Sequence, residues 1–317
     1  MLSFEVDEMD SALCAPNIKI TIGMCVKDCE STIKEAIESA LDQDYPCQSM
    51  ELVIVDGCSR DRTLKIIEDS LKTANIRVKV FSENEGLGRA RQFVVDNTSG
   101  DYIVWVDGDM VIARDFVRKQ VDFMEHHPSV GIAKGKYGVR INTEGKNIVA
   151  TLENVRFLLE TAFEGETNSK ALGTSGCIYR VKAIKQIGGF DPHIKGAGED
   201  MDVENRVREQ GWLLYISPSL FYEMRRKTWR SLWDEYFWHG ISGRYIREKN
   251  MHITNLYAMF PPIAILAELF RVPAAYRLTH QKLVLFLPFH YIFKRLAWVL
   301  GFVKSFLEKD DSKKEML

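Results

Sequence analysis

Two aspartates separated by one glycine, Asp107 and Asp109, are the residues of this chain best suited to hold a metal ion. They follow the apolar run Ile103–Val106, which predicts a buried strand. Carboxylates at positions i and i+2 after such a strand can both face one point. Mg²⁺ and Mn²⁺ prefer carboxylate oxygens and keep open positions for phosphate. Asp-Gly is also a common turn dipeptide, so the triplet indicates a metal site mainly because it follows a predicted buried strand.

A second carboxylate, Asp56, ends the apolar run Val53–Val55. At a strand tip it could accept a hydrogen bond from the N–H of a nucleotide base. Ser59 or Asp61, a few residues later, could cap the following helix, because short polar side chains bind free helical N–H groups. Capping accounts for Ser59 and leaves Asp56 free for recognition.

Glycines and arginines open a third candidate region. Gly86 and Gly88 precede a predicted helix with Arg89 and Arg91, and such glycines could let the backbone approach a diphosphate. The spacing is not that of a dinucleotide fingerprint, which belongs after the first strand and carries a later third glycine.

An acidic cluster after Gly196–Gly198 is the fourth candidate region. Asp202 and Glu204 fit the first turn of a helix, where carboxylates favour the helix dipole. Glu199 and Asp200 come directly after the glycines, and we predict that they face a site. A carboxylate there could remove a proton from an attacking hydroxyl.

The elements that position these residues read as strand and helix in alternation. Between residues 18 and 126 the pattern occurs four times, with amphipathic helices over 30–41 and 61–71. This predicts an α/β protein with a doubly wound sheet, whose ligands bind beyond the carboxyl ends of the strands. The predicted strands are Ile18–Val26, Glu51–Asp56, Ile76–Phe81 and Tyr102–Asp107, followed by Gly173–Val181 and Trp212–Ile216, with helices over Glu199–Gln210 and Thr228–Glu248.

Composition excludes several classes of protein. The 317 residues are 46% hydrophobic and 27% charged, with 42 Lys and Arg against 44 Asp and Glu. These values are typical of a globular protein, and the near balance of charge gives no support to a nucleic-acid partner. The six cysteines form no Cys-x-x-Cys pair, which argues against a disulfide framework or a cysteine zinc site. The acidic N-terminus does not resemble a secretory signal, so we expect a chain that faces the cytosol.

Residues 250–307 differ from the rest, because apolar and aromatic blocks alternate there with basic residues. Two interpretations stay open: helices that lie in a membrane interface or dip into it, which we favour, and a packed helical subdomain. The prolines predict that no long helix forms (Pro261, Pro262, Pro273 and Pro288). We predict an N-terminal extension over 1–17, a catalytic domain over 18–249, the membrane-associated segment over 250–307 and a disordered tail over 308–317.

Five of these pieces, in this order, resemble the family 2 inverting glycosyltransferases of the GT-A fold. They are Val55–Thr63, Asn84–Arg91, Asp107–Asp109, Gly188–Asp191 and Gly198–Asp200. Together they cover about residues 18–215. The resemblance implies a Rossmann-like, doubly wound mixed sheet, here with the apolar helical segment after it.

The resemblance also implies roles for single residues. Asp56 would recognise the base beside the loop from Val26 to Asp28, and Arg91 would lie near the nucleotide. Asp107 and Asp109 would bind the diphosphate through Mg²⁺ or Mn²⁺, and Asp200 would be the general base. The acceptor motif of processive members is not visible. Candidates for an acceptor or phosphate contact are Glu199, Arg225, Arg226, His239 and Arg244, although packing or a solvated charge run explains the last four equally well.

The sequence therefore predicts a metal-dependent inverting glycosyltransferase at the cytosolic face of the membrane, peripheral or partly inserted. It would move a sugar from a nucleoside-diphosphate sugar to a glycan or lipid-linked acceptor. Two alternatives stay open. A polyprenyl-phosphate acceptor would already be ionised and would need no base. A non-catalytic nucleotide-sugar-binding or scaffold protein would have no reason to keep Asp107, Asp109 and Asp200 together.

Overall fold

The structure, a computed structural model, describes residues 19–138, 147–161, 165–167, 171–194, 196–248 and 261–314. The chain divides into two compact units. The first consists of Met1–Gly138, Phe163–Lys195 and Glu199–Met224, and the second of Val139–Ala162, Gly196–Gly198 and Arg225–Leu317. The predicted N-terminal extension over 1–17 lies outside the described residues.

The first unit contains a mixed sheet of nine strands within the described residues. These are β1 (Ile20–Val26), β2 (Met50–Asp56), β3 (Arg77–Ser82), β4 (Tyr102–Trp105), β5 (Met110–Ile112), β6 (Val130–Tyr137), β7 (Gly165–Glu166), β8 (Cys177–Arg180) and β9 (Leu213–Glu223). Their order is β3-β2-β1-β4-β8-β6-β9-β5, and β7 pairs with β9. Strands β1 to β4 are parallel, whereas β8 runs antiparallel to β4 and β6. The predicted doubly wound mixed sheet is confirmed.

The described part of the chain contains ten α-helices, which are divided between the two units. They are α1 (Ile33–Leu41), α2 (Thr63–Leu71), α3 (Leu87–Asn97), α4 (Phe116–His126), α5 (Ile148–Thr161), α6 (Val181–Gln186), α7 (Glu199–Glu209), α8 (Trp229–Glu248), α9 (Pro261–Thr279) and α10 (Leu287–Lys314). Helices α5, α8, α9 and α10 belong to the second unit. Strand β2 is buried along its whole length, as expected for a parallel strand covered on both faces.

Strand β9 is longer than predicted, because Pro218 does not end it. The register of β6 against β9 shifts between Lys134 and Lys136, which pair with Ile216 and Leu220. Pro218 lies within this irregularity and is exposed. A proline is tolerated in a strand at such a bulge because no ladder hydrogen bond is required of it.

The prediction that prolines prevent long helices in the second unit is wrong. Helix α9 begins at Pro261 and contains Pro273. Helix α10 is 28 residues long with Pro288 in its first turn, where the missing N–H has no helical partner to lose. Helix α10 reaches Lys314, inside the range predicted as a disordered tail, and residues 250–260 lie outside the described part.

Lys294 is not an interfacial cation, contrary to the sequence interpretation. It is 1% exposed, and its Nζ lies 2.5 Å from Oε1 of Glu153 on α5. His290, one turn earlier on α10, places Nε2 3.1 Å from the same oxygen. The Lys294 ammonium also lies 4.2 Å from the ring centre of Tyr236. The charge that interrupts the apolar run is therefore part of a buried ion-pair cluster joining α5 to α10.

We expect Glu153→Gln to lower the free energy of unfolding by ~3–5 kcal/mol, because it leaves a buried cation without its counter-charge. Urea denaturation measures this, with Asp69→Asn as control. Asp69 pairs with Lys72 on the surface, and that change should cost less than ~1 kcal/mol. Similar small losses for both variants would contradict the role assigned to Glu153.

The same cluster predicts a pH dependence of stability. Burial opposes ionisation of Glu153, but Lys294 and His290 outweigh it and hold the pKa of this carboxyl below its ordinary value. A carboxyl whose pKa is depressed on folding stabilises the fold above its unfolded pKa of ~4.3 and loses that contribution as the pH falls. Glu153→Gln should therefore flatten the loss of stability below about pH 4, as measured by urea denaturation repeated at each pH.

Candidate active site

The loops after β1 and β2 are joined at the carboxyl edge of the sheet. Val26 pairs with Asp56 in the β1–β2 register. Ser59 donates its N–H and its hydroxyl to the two carboxylate oxygens of Asp56, at 3.0 and 2.5 Å. Ser59 Oγ also accepts the N–H of Asp28 at 2.9 Å. Three predicted nucleotide-side residues, Val26, Asp28 and Asp56, thus lie together, with Asp28 in the left-handed region at φ 48°.

Asp61 rather than Ser59 serves the start of α2. Its Oδ1 accepts the N–H of Thr63 at 2.9 Å, and its Oδ2 accepts the N–H of Glu30 at 3.0 Å. The N-cap position of α2 is held by Arg62, so neither predicted cap occupies it: Asp61 binds the N–H of Thr63 from one residue earlier, and Ser59 orients Asp56 instead. Burial raises the pKa of both Cys25 and Cys29 to about 12, so neither thiol beside these loops is a nucleophile at neutral pH.

Asp107 is held from two sides. Ser175 donates its hydroxyl to Oδ2 of Asp107, and Nη2 of Arg91 lies 3.5 Å from Oδ1. Arg91 is buried, with its guanidinium 5.1 Å from the ring centre of Trp105. Its Nε donates to Oε1 of Glu199 at 2.9 Å. Arg91 therefore links the Asp107 carboxylate on the β4 side to the start of α7.

Helix α7 carries five acids, of which Glu199, Asp200 and Glu204 have different surroundings. Glu199 is buried against Arg91. Glu204 is buried too, and its carboxylate accepts the N–H groups of Leu172 and Gly173 at 2.9 and 2.8 Å. The interpretation of Glu204 as a simple dipole partner is thus wrong, because it anchors the loop that carries Ser175. Burial and the charge of Asp200 raise the pKa of Glu199 to about 8 and that of Glu204 to about 7, against the opposing Arg91 and backbone N–H groups.

Asp200 is the half-buried acid of the three. A Cβ placed on Gly173 would lie 3.6 Å from both Oδ2 of Asp200 and Nζ of Lys134. The Asp200 carboxylate and the Lys134 ammonium therefore both lie near the Gly173 backbone. Lys134 and Ser175 were not predicted, because a single lysine in a strand and a single serine in a loop carry no signal in the sequence.

Asp202 does more than favour a dipole. Its Oδ2 lies 2.5 Å from Nη2 of Arg206, and the same guanidinium donates to the carbonyls of Ile187 and Gly189, each at 2.8 Å. The pair fixes the glycine turn at 188–189 and is structural.

Gly88 serves packing, not the approach to a diphosphate that the sequence suggested. Its N–H donates to the carbonyl of Ile194 at 3.1 Å. A Cβ at this position would lie 2.5 and 2.6 Å from the carbonyl oxygens of Asp191 and Ile194. The glycine is therefore required by close packing of α3 against the turn before α7. Arg89, the nearby cation, faces Glu83 and Glu85.

The sign of the effect of Gly88→Ala tests this contact. Alanine in a helix is ordinarily ~1 kcal/mol more favourable than glycine, whereas overpacking costs ~1–3 kcal/mol. We expect the variant to have a lower melting temperature than the parent chain, measured by circular dichroism. A raised melting temperature would show that α3 does not pack as described.

A divalent ion held by Asp107 and Asp109 would have two carboxylate ligands from this site and would need others, since hard cations take six or more. Within the described residues, no group of three or more Asp, Glu, His or Cys side chains could hold a metal by itself. Asp107 and Asp109 supply hard oxygens at half-buried positions, and a donor diphosphate would supply others. The residues present fit a metal that binds together with the nucleotide.

The remaining candidates belong to the second unit. The guanidinium of Arg225 lies 3.6 Å from the ring centre of Phe157, and Nε of Arg226 is 2.9 Å from Oε2 of Glu235. His239 contacts the rings of Tyr236 and Trp238. Arg244 lies in α8, and its side chain is outside the described residues. Each of these three described side chains contacts residues of its own unit.

The sheet order, with an Asp-x-Asp triplet at the end of β4, defines a GT-A glycosyltransferase fold. The glycosyl transferase family 2 profile matches residues 21–188. The chain belongs to glycosyl transferase family 2, and the predicted membership is confirmed.

Two curated relatives are named as enzymes of glycosyl transfer. The putative glycosyltransferase EpsE of Bacillus subtilis is 28% identical over 223 residues, 66% of this chain and 74% of that protein. The poly(ribitol-phosphate) beta-N-acetylglucosaminyltransferase TarS of Staphylococcus aureus is 31% identical over 121 residues, 38% of this chain. The matched part spans about a fifth of TarS (21%).

Solved structures agree on the fold. The mannosyltransferase PcManGT of Pyrobaculum calidifontis, in complex with GDP-Man and Mn²⁺, has a TM-score of 0.64 at 18% identity over 92% of this chain and 88% of its own. Staphylococcus aureus TarS in complex with UDP-GlcNAc has a TM-score of 0.51 at 17% identity, with 92% of each chain covered. At such identities the likeness establishes the GT-A fold.

Proposed function

We propose that this chain is a metal-dependent inverting glycosyltransferase that uses a nucleoside-diphosphate sugar. The observation that carries the proposal is the position of Asp200. It is the half-buried acid on a helix whose neighbouring acids are engaged, and Arg91 links that helix to Asp107. Inversion by a single displacement needs such a carboxylate near the donor phosphates and free to accept a proton.

The nucleotide would lie against the loops after β1 and β2. Asp56, oriented by Ser59, would accept a hydrogen bond from the base, with Val26 and Asp28 beside it. Arg91 would position Asp107 and Glu199, because its buried guanidinium already faces both carboxylates. We therefore assign Glu199 to positioning rather than to acceptor contact.

The transfer step needs a base on one side and a stabilised leaving group on the other. Asp200 would take the proton of the acceptor hydroxyl while the hydroxyl oxygen bonds to the anomeric carbon of the sugar. The bond from that carbon to the diphosphate breaks in the same step. Asp107 and Asp109 would hold a Mg²⁺ or Mn²⁺ ion, which when bound neutralises the leaving diphosphate.

The acceptor would be a glycan or lipid-linked molecule at the cytosolic face of a membrane. One described stretch, Lys282–Leu307, is long and apolar enough to cross a bilayer by length and composition, with mean hydropathy 1.5 over an 18-residue part of it, of which 33% is buried. The abundance of basic residues beside it favours anionic lipid.

A donor screen tests the proposal. UDP-, GDP- and dTDP-sugars are incubated with Mn²⁺ and the full-length protein, and release of the nucleoside diphosphate is measured. We expect turnover of one base class that stops when EDTA is added. No turnover and no donor binding in any combination would favour the non-catalytic scaffold.

A further inference from the structure

One side of α10 and of the turn before it is exposed and apolar. The apolar face, as defined here, comprises Leu285, Phe286, Phe289, Leu296, Leu300, Val303 and Leu307. Within α10 its members recur at the spacing of one helical stripe. The exposed fractions of Leu285 and Leu307 are 66% and 64%. Helix α9 adds Phe270, 83% exposed, and Leu278.

The opposite side of α10 is packed against protein. It carries the Glu153 partners His290 and Lys294, with Ala297 and Trp298 also buried. Close packing with α8 is enforced by two glycines. A Cβ on Gly240 would overlap the carbonyl oxygen of Trp298, and a Cβ on Gly301 would overlap that of Phe237. Helix α10 is therefore a surface helix with one protein side and one apolar side.

The charge of this segment is one-sided. Residues 269–307 contain six basic residues and no Asp or Glu, with Glu268 directly before this stretch and Glu308 directly after it. Two of the six, Lys294 and Arg295, lie on the packed side of α10, where Arg295 contacts Tyr291. Arg271, Arg277, Lys282 and Lys304 are exposed beside the apolar residues. An apolar surface whose own segment carries cations and no acids is complementary to anionic lipid headgroups.

A second copy of the chain fits this surface less well. A two-fold symmetric contact places the same patch against itself. The exposed cations of the two copies would then meet one another, and the segment itself supplies no acid between them. Like charges brought together oppose association.

We propose that the apolar face inserts into one leaflet of an anionic bilayer, with α10 lying in the membrane plane. The proposal rests on the membrane-side action proposed above, and deepens it by naming the inserted residues and the mode of attachment. A spanning α10 would carry the charged cluster of Lys294, His290 and Glu153 into the bilayer, where charged side chains are costly. A helix with one buried protein side and one apolar side suits interfacial attachment.

Flotation of the full-length protein tests the surface. Vesicles of phosphatidylcholine with phosphatidylglycerol are compared with pure phosphatidylcholine. We expect binding to the anionic vesicles that weakens as salt is raised. Phe289→Glu with Leu300→Glu should weaken it ~10²-fold, because two apolar contacts are replaced by charges that the bilayer and its anionic headgroups reject.

A matched variant controls for the added charge. Ile148→Glu with Leu220→Glu also replaces two exposed apolar side chains and changes net charge equally, but off the apolar face. It should bind vesicles within ~2-fold of the parent chain. Equal loss in both variants, or no flotation of the parent chain, would overturn the proposal.

Lysine labelling distinguishes one-leaflet insertion from spanning. Lys282 and Lys304 lie about 33 Å apart along the chain at helical rise, so a spanning segment would place them on opposite sides. A membrane-impermeant acylating reagent is added to intact vesicles carrying the protein, and mass spectrometry identifies the modified lysines. Modification of both supports the proposal, and protection of one until the vesicles are lysed overturns it.

Donor hydrolysis, measured on the same samples, separates the two proposals. A parent chain that floats but hydrolyses no donor would refute the enzymatic proposal and keep the membrane one. A parent chain that hydrolyses donor but never floats would do the reverse. The Phe289→Glu/Leu300→Glu variant should hydrolyse donor in solution at the parent rate.

Discussion

Asp200→Asn should leave donor affinity unchanged and lower turnover by ~10²-fold or more, the usual cost of losing a general base. Asparagine keeps the shape of the side chain and can still accept the N–H of Met201, which lies 2.7 Å from Oδ1. What it loses is the capacity to take a proton from the acceptor hydroxyl. Steady-state transfer with the donor found by the screen, together with calorimetric donor titration, measures both quantities.

The control for Asp200→Asn must remove a charge from the same helix without touching the site. Asp202 is unsuitable, because its pairing with Arg206 fixes the turn at 188–189. Glu209→Gln is matched, since Glu209 is an exposed acid at the far end of α7. Near-full turnover in Asp200→Asn would refute the base assignment and favour a phosphate acceptor, which needs no deprotonation.

Replacing Asp107 and Asp109 together by asparagine should remove the metal-dependent part of donor affinity, a loss of ~10²-fold or more given the several kcal/mol that such an ion contributes. Titration of the donor nucleotide with Mn²⁺ and with EDTA measures it. Because Asp107 and Asp109 provide two of the six or so ligands that a hard cation takes, Mn²⁺ alone should bind weakly, and metal and nucleotide should strengthen each other.

The chain supplies its own control for that pair. Asp42 and Asp44 have the same Asp-x-Asp spacing, but they face Arg114 and Arg118 on the surface. Replacing both of them by asparagine should leave donor affinity within ~2-fold, since exposed ion pairs contribute little. A Mn²⁺-dependent affinity that survives the double change Asp107→Asn with Asp109→Asn would remove the metal assignment.

The sequence was informative where chemistry follows a strand directly. Asp56 and Asp107 stand at the ends of apolar runs, so strand prediction alone placed them on one edge of the sheet. The effect of the prolines in the apolar segment was predicted wrongly. Pro261, Pro262 and Pro288 stand in first helical turns, where a proline loses no hydrogen bond, and Pro273 is accommodated inside α9.

Pairings between distant residues could not be predicted. Arg91 and Glu199 are 108 positions apart, and Glu153 and Lys294 are 141 apart. A single sequence records which residues are charged, but not which charges meet when the chain closes. The same holds for Lys134 and Ser175, whose importance comes from neighbours on other strands and loops.

Glu204 holds its loop through the peptide N–H groups of Leu172 and Gly173 and not through their side chains. Such an anchor depends on one acid, whereas Leu172 and Thr174 are themselves buried and Leu172 packs in the apolar core. Two separate constraints therefore act on this loop: Glu204 holds its backbone, and the buried side chains and the contact of Ser175 with Asp107 restrict which residues it can carry. In a laboratory selection for active variants, Glu204 should be retained, changes at 172 and 174 should be limited to side chains of similar size, and position 175 should keep a hydroxyl.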